Sequence, residues 1–210
     1  MASNKENIVI VGGGISGLVA AKTLAEDGFS PLLLEKNKEF GQKACGEMVA
    51  EEHYGFSIYD FLDDENIILR KFDQIIFNYW GKEYWLTPEN SLFGLRKFPK
   101  RLFQINRKAF EKHLAQEAEK AGAEIRMGLS VNKMERKDNS ILINSEIKTK
   151  LVIGADGFYS RVRKFTGQTI KNYSFAISAE AESEYKYPVL IFNPEIVPAG
   201  YAWIFPRERE

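Results

Sequence analysis

The tightest constraint on this chain is the run Gly12-Gly13-Gly14-Ile15-Ser16-Gly17, a G-x-G-x-x-G spacing set between two stretches of different hydrophobic period. Residues 7–11 (Asn-Ile-Val-Ile-Val) are short, apolar and β-branched, the pattern of a central parallel strand buried on both faces. From Ile15 the spacing becomes helical, with Leu18, Val19, Leu24 and Ala25 on the same stripe and Gly28 placed to end the helix. Residues 31–35 then supply a second apolar strand and complete a βαβ unit. In such a unit Gly12 permits the tight turn, Gly14 lets the backbone approach a pyrophosphate, and Gly17 lets the helix pack closely on the strand. The helix N-terminus offers unpaired N–H groups to phosphates. Glu35, about 20 residues on at the end of the second strand, is placed to accept hydrogen bonds from both ribose hydroxyls. Its charge would repel a 2′-phosphate, which disfavours NADP in this pocket. The spacing alone separates neither NAD from FAD nor either from a glycine-rich turn with no ligand.

Composition narrows the setting. Lys plus Arg equals Asp plus Glu at 29 each, so no global field steers the 210-residue chain to nucleic acid. With 44% hydrophobic residues it reads as globular rather than disordered. One cysteine, Cys45, excludes an internal disulfide, and His53 and His113 are too few for a His-rich metal site, so no metal is expected. The apolar stretch 8–25 is broken by three glycines and stopped at Lys22, which argues against a leader or a membrane span. The expected setting is cytoplasmic.

Further along, residues 40–46 form a polar loop carrying Gly41, Cys45 and Gly46, followed by a weak helical patch over 47–54. Residues 72–86 alternate and turn at Trp80-Gly81-Lys82, as a hairpin does. Helical spacing returns over 107–121 with Gly122 as its stop, followed by a strand over 123–126. Residues 131–135 and 141–143 read as a second hairpin, and 151–153 as another buried strand. Strands are also expected over 173–184, 189–192 and 201–205. Without a repeat or a low-complexity linker, the two kinds of segment must interleave. The expected fold is α/β: a Rossmann-like parallel-sheet domain from 1–65 and 101–168, and an antiparallel substrate-domain sheet from 66–100 and 169–210.

Two more constellations carry chemistry. Gly154-Ala155-Asp156-Gly157-Phe158-Tyr159-Ser160-Arg161-Val162-Arg163 resembles the G-A-D-G-x-x-S-x-x-R motif of flavoprotein monooxygenases and reductases in the p-hydroxybenzoate hydroxylase-like superfamily. The resemblance implies FAD, with Asp156 and Gly157 near it and near the nicotinamide donor; a turn in which Asp156 caps a helix is the structural alternative. Pro198-Ala199-Gly200-Tyr201-Ala202-Trp203-Ile204-Phe205-Pro206 resembles the P-x-x-Y-x-W-x-F-P substrate-pocket motif of the geranylgeranyl reductase family, which includes archaeal reductases of prenylated glycerophospholipids. Tyr201, Trp203 and Phe205 alternate along one strand, so they project to one face and can line an apolar slot; ordinary core is the alternative.

That resemblance implies FAD-binding roles for Gly12, Gly14, Ser16, Gly17, Glu35, Lys36, Cys45, Gly46, Met48, Arg107, Val131, Asp156 and Gly157, with Ser16, Met48 and Val131 acting mostly through backbone groups. Cys45-Gly46-Glu47 resembles the cysteine-glycine segment that the family places by the flavin ring, which makes Cys45 a proton relay, a loop anchor or an inert thiol. Met48 departs from the small residue expected there, and Arg107 matches an arginine that approaches the FAD phosphates. The implied activity is FAD-dependent reduction of isoprenoid double bonds in a prenylated lipid, at a cytoplasmic site that includes the membrane periphery. Neither NAD(P)H nor ferredoxin is singled out as donor. The same fold also serves aromatic hydroxylases and halogenases, and a non-catalytic FAD-binding fragment is a further alternative. The resemblance covers nearly the whole chain but about half of a typical family member, whose second Gly-Asp segment lies further on, so a C-terminal half is an expected partner.

Overall fold

The computed structural model describes residues 8–53, 55–62, 65–87, 89 and 101–207. In chain order the strands are β1 (Ile8–Val11), β2 (Leu32–Glu35), β3 (Met48–Ala50), β4 (Glu52–His53), β5 (Phe56–Ser57), β6 (Ile68–Phe72), β7 (Ile75–Tyr79), β8 (Lys82–Leu86), β9 (Leu102–Ile105), β10 (Glu124–Met127), β11 (Met134–Lys137), β12 (Ser140–Ile143), β13 (Ile147–Thr149), β14 (Leu151–Gly154), β15 (Val189–Phe192) and β16 (Ala202–Ile204). The helices are α1 (Ile15–Glu26), α2 (Arg107–Ala121) and α3 (Arg161–Phe165). The chain divides into two compact units: Met1–Lys43 with Lys108–Ala176, and Ala44–Arg107 with Ile177–Glu210.

The first unit is built on a parallel sheet in the order β10-β2-β1-β14. Central strand β1 is apolar on both faces because both are covered. Val9 and Val11 pack with Leu34, Val131, Ile143 and Val162 in one cluster, whereas Ile10, alternating to the other face, is 0% exposed. A three-stranded antiparallel sheet, β11-β12-β13, supplies Ile143 to that cluster. Helix α1 buries Leu18, Ala21 and Ala25, spaced three and four apart, together with Gly17, and ends where Gly28 takes φ +83°. Helix α2 buries Phe110, Leu114, Ala115 and Ala118 and stops at Gly122, φ +112°.

The second unit holds a four-stranded sheet in the order β16-β15-β7-β8, antiparallel except for the β15–β7 pair. It also holds an antiparallel sheet β3-β9-β6 and the small β4–β5 pair. The β7–β8 hairpin turns as its sequence predicts: Trp80 and Gly81 both have positive φ, 52° and 79°, and the Gly81 N–H donates to Asn78 Oδ1 at 2.9 Å.

Five expectations are corrected. The helical patch over 47–54 is strand instead: β3 pairs with β9 (Met48 opposite Gln104), and this long-range pairing overrides a weak helical period. Phe72 closes β6 rather than opening the hairpin, and the hairpin strand over 131–135 begins at Met134 because Val131 turns into the core. Residues 173–184 make no strand, since no neighbour among the described residues offers them a ladder. The aromatic strand is shorter than 201–205. Residues 54, 88, 90–100 and 208–210, and Asn7 of the first strand, lie outside the described residues.

Leu114 is 0% exposed. Leu114→Ala is expected to cost about 2–5 kcal/mol in urea denaturation. Lys112→Ala, on the solvent side of the same helix, should stay within about 0.5 kcal/mol.

Candidate functional site

In the first unit the two glycine motifs meet because their strands are neighbours. Val11 of β1 is in register with Gly154 of β14, and the Ala155 N–H donates to the Val11 carbonyl at 2.8 Å. The turn after β14 is thereby laid against the turn after β1. A Cβ on Gly12 (φ +108°) would fall 2.3 Å from the Ala155 carbonyl oxygen, and one on Gly17 would fall 1.9 Å from the Gly12 oxygen. Both glycines are required by the packing of backbone on backbone.

Gly13 belongs to the same construction through Glu35. The Gly13 N–H donates to Glu35 Oε2 at 2.6 Å and the Asn37 N–H donates to Oε1 at 2.8 Å, while a Cβ on Gly13 would strike the Glu35 side chain at 2.8 Å. Two backbone donors therefore fix the buried carboxylate at the end of β2, and its remaining lone pairs are free to accept hydroxyls. Beyond it, Asn37, Lys38, Glu39 and Gln42 line an open cleft of about 260 Å³. The Lys108 ammonium, 2.8 Å from Glu39, holds that exposed carboxyl below the usual carboxylate range.

Gly14 differs from its neighbours. Its φ of −75° and ψ of 176° suit any residue, and nothing lies within 4 Å of a Cβ built on it. Among the described residues no side chain caps α1 at Gly14 and its first turn carries no acid, so the positive end of the helix is uncompensated there. Among the described residues neither conformation nor packing requires glycine at this position, whereas a phosphate approaching the backbone would. The residues fit a bound dinucleotide.

Asp156 takes the helix-capping role. Oδ1 accepts from Ser160 Oγ at 2.5 Å, Oδ2 accepts from the Arg161 N–H at 2.6 Å, and Ser160 Oγ accepts from the Arg163 N–H at 2.9 Å. Gly157, φ +73°, makes the turn between them. Of the other first-unit candidates, Ser16 and Lys36 are exposed, and the Val131 side chain is core, which leaves only its backbone for a ligand.

In the second unit, two motifs more than 150 residues apart come together. A Cβ on Gly46 would fall 2.9 Å from the Phe205 ring and 3.4 Å from Trp203 Nε1. Tyr201, Trp203 and Phe205 share one face, with ring centroids 5.9 and 6.2 Å apart, and Phe192 and Phe77 extend the row at 5.5 and 5.8 Å. Tyr201 is exposed and Trp203 and Phe205 are half-buried. Cys45 is exposed, and its Sγ accepts from the Glu47 N–H at 3.4 Å. Met48 is half-buried, and Arg107, first residue of α2, is buried.

Three residues escape the sequence motifs. Glu111, buried on α2, accepts the Gly41 N–H at 2.7 Å and so fixes the loop at its positive-φ glycine. Arg207 donates to the Cys45 carbonyl at 3.4 Å and pairs with Glu47 at 3.2 Å and Glu180 at 2.6 Å. Gln104, opposite Met48, is 0% exposed. Only spatial proximity identifies them. Among the described residues no cluster of His, Cys, Asp and Glu suits a metal ion, and no helix is long and apolar enough to cross a membrane.

Comparison with known proteins bears on this geometry. Residues 63–183 match the family model described as FAD binding domain, and residues 10–68 match that of the NAD(P)-binding Rossmann-like domain. A digeranylgeranylglycerophospholipid reductase of Methanosarcina acetivorans is 30% identical over 96% of this chain and 51% of its own length. Digeranylgeranylglycerophospholipid reductase 2 of Methanosphaera stadtmanae is 29% identical over 96% and 53%. The chain thus spans about half the length of the curated relatives it matches. Among solved structures, a geranylgeranyl bacteriochlorophyll reductase-like protein from Thermoplasma acidophilum superposes with a TM-score of 0.72 at 26% identity, over 96% of this chain and 53% of that one. The halogenase PltM, solved with phloroglucinol and FAD, shares the fold at a TM-score of 0.57 and 15% identity, over 78% of this chain and 37% of that one.

The glycines give a test that separates fold from ligand. Gly12→Ala and Gly17→Ala should lower the melting temperature of the cofactor-free chain, since each drives a Cβ into backbone. Gly14→Val should leave the melt unchanged and abolish the quenching of FAD fluorescence that accompanies binding. Glu35→Ala should weaken FAD by about 1–3 kcal/mol for lost hydrogen bonds to a charged acceptor.

Proposed function

The chain belongs to the FAD-binding domain family, and from that premise we propose that it forms the dinucleotide-binding part of a reductase acting on the isoprenoid double bonds of prenylated glycerophospholipids. The observation that carries this reading is the seating of Gly46 against Phe205 and Trp203. It joins the Cys45-Gly46 loop, which the sequence resemblance assigns to the flavin ring, to the aromatic row suited to a prenyl chain. The names of the relatives in two methanogens support the same substrate class.

Each residue then has a task. Gly14 and the open first turn of α1 receive the pyrophosphate, and Glu35, held by Gly13 and Asn37, accepts the ribose hydroxyls. Backbone groups of Ser16, Lys36, Met48 and Val131 and the side chain of Arg107 complete the cofactor contacts, with Asp156 and Gly157 shaping the turn beside Gly12. When bound and reduced, FAD would supply a hydride to one alkene carbon, so the chain's residues would have to deliver a proton to the other, an isolated alkene being a poor hydride acceptor. The exposed Cys45 thiol is the candidate proton donor, and Arg207 anchors its loop through the Cys45 carbonyl. Phe192, Tyr201, Trp203 and Phe205 hold the prenyl chain and exclude water from it. A substrate with such tails resides in a bilayer, so the protein works at the membrane periphery, and segments corresponding to the remaining half of the relatives complete its cavity.

Trp203→Ala should weaken binding of a geranylgeranyl glycerophospholipid in detergent by about 3 kcal/mol while leaving flavin occupancy unchanged. A shorter prenyl analogue should lose less. Equal losses on both lipids, with falling thermal stability, would mean that the row is core. In anaerobic assays with reduced flavin, products should gain two hydrogens per double bond; an oxygen-dependent product in their place would favour a hydroxylase.

A further inference from the structure

In the first unit, four aromatic side chains gather outside the core. Phe158 and Tyr159, in the turn after β14, meet Tyr173 and Phe175 with ring centroids 5.0 to 6.2 Å apart. Burial does not account for them: Tyr159, Tyr173 and Phe175 are 75%, 62% and 76% exposed, and Phe158 at the centre is exposed as well. A contiguous apolar patch kept in water marks a contact surface. The ring planes cross at 61° to 87°, edge to face, so the four rings make one compact knob. Its base is braced: the Arg163 guanidinium donates to the Phe158 and Gly157 carbonyls, and Ser160, bonded to Asp156, caps α3.

Charge separates the candidate occupants. From Gly157 to Ala176 the sequence carries Arg161, Arg163, Lys164 and Lys171 and no carboxylate, in a chain whose charges cancel overall. Arg161 and Lys164 follow the first two rings on α3, and Lys171 stands two residues before Tyr173. All three are exposed, and among the described residues their side chains enter no ion pair. The fitting partner is therefore anionic as well as apolar. Single-stranded nucleic acid needs open, flat ring faces on which bases stack, and here the rings cover one another edge to face. An apolar protein surface would use the rings and leave the cations unanswered. The interface of a phospholipid bilayer uses both, with tyrosine at headgroup level, phenylalanine among the upper acyl carbons and the cations on anionic headgroups. We propose that the Phe158 knob and its flanking cations are the surface by which this chain rests on an anionic phospholipid bilayer. The choice of a bilayer rests on the reading of the substrate as a prenylated lipid, to which it adds the place where the protein meets the membrane.

Flotation of the full chain with phosphatidylcholine vesicles, made with and without phosphatidylglycerol and free of prenyl lipid, tests this. The wild type should float with the anionic vesicles, and less so as salt is raised. Lys164→Ala and Lys171→Ala should each weaken that partition about fivefold. Phe175→Ser should weaken it about tenfold, and Tyr173→Ser in the same direction, with melting temperatures unchanged because both side chains are exposed. Tyr159→Trp should add quenching by brominated phospholipid beyond that of the chain's own tryptophans, a signal specific to this turn. Absence of wild-type flotation would overturn the proposal, as would flotation indifferent to these substitutions. Self-association without flotation, abolished by Phe175→Ser in sedimentation velocity, would overturn it too and assign the knob to a protein contact. Binding of a geranylgeranyl glycerophospholipid in detergent without flotation would remove the membrane surface alone; flotation by a chain that takes up no such lipid would remove the substrate reading and leave the surface standing.

Discussion

The contact on which the first unit depends is backbone against backbone at Gly12. With the β1 turn pressed onto the Ala155 carbonyl and α1 pressed onto the Gly12 carbonyl through Gly17, three segments of main chain stack where side chains would normally stand between them. The parallel pairing of β1 with β14 brings the second turn to the first, and the pairing of β1 with β2 brings Glu35 under Gly13. The direction of α1, the opening at Gly14 and the position of the carboxylate all follow. A methyl group at either glycine would push apart the elements that make a helix N-terminus usable by an anion.

The second unit solves a different problem with side chains. Among the described residues its edge strand β16 pairs with β15 alone, and the aromatic row across Phe77, Phe192, Tyr201, Trp203 and Phe205 supplies contacts that a ladder with one neighbour does not. The glycine at position 46 lets a loop lie flat on two of those rings. Arg207, just past the strand, ties the same loop by its carbonyl and by Glu47. Ring packing and an ion pair thus hold the exposed Cys45 in one neighbourhood, although these pairs are partly exposed and contribute modestly to stability.

Most of the first unit was legible in the sequence because its signals are local. A β-branched run, a 3.6-residue stripe and stopping glycines at 28 and 122 each depend on a few neighbouring residues, and the parallel sheet follows from the βαβ order. The candidate site was legible where a residue type is forced by backbone geometry, as at Gly12 and Gly17, and where alternation sets a common face, as for Tyr201, Trp203 and Phe205. What the sequence did not disclose depends on distant pairing. Strand β3 forms because β9 lies beside it, and Glu111 finds Gly41 only after α2 returns to the loop 70 residues earlier. Asp156 shows a further limit: one sequence signature covers both a ligand contact and a helix cap, and of the two the hydrogen bonds within the chain display the cap.

Asp156 and Gly14 mark two ways in which a residue type can be kept in a turn of this kind. The carboxylates of Asp156, Glu35 and Glu111 each accept backbone N–H groups, so the fold itself repays their presence. Gly14 differs: its carbonyl accepts the Leu18 N–H at 3.0 Å as any residue's would, and among the described residues neither its conformation nor a packing contact calls for the missing Cβ. A glycine that the fold does not require, at the start of a helix whose unpaired N–H groups favour an anion, supports the phosphate contact proposed for it.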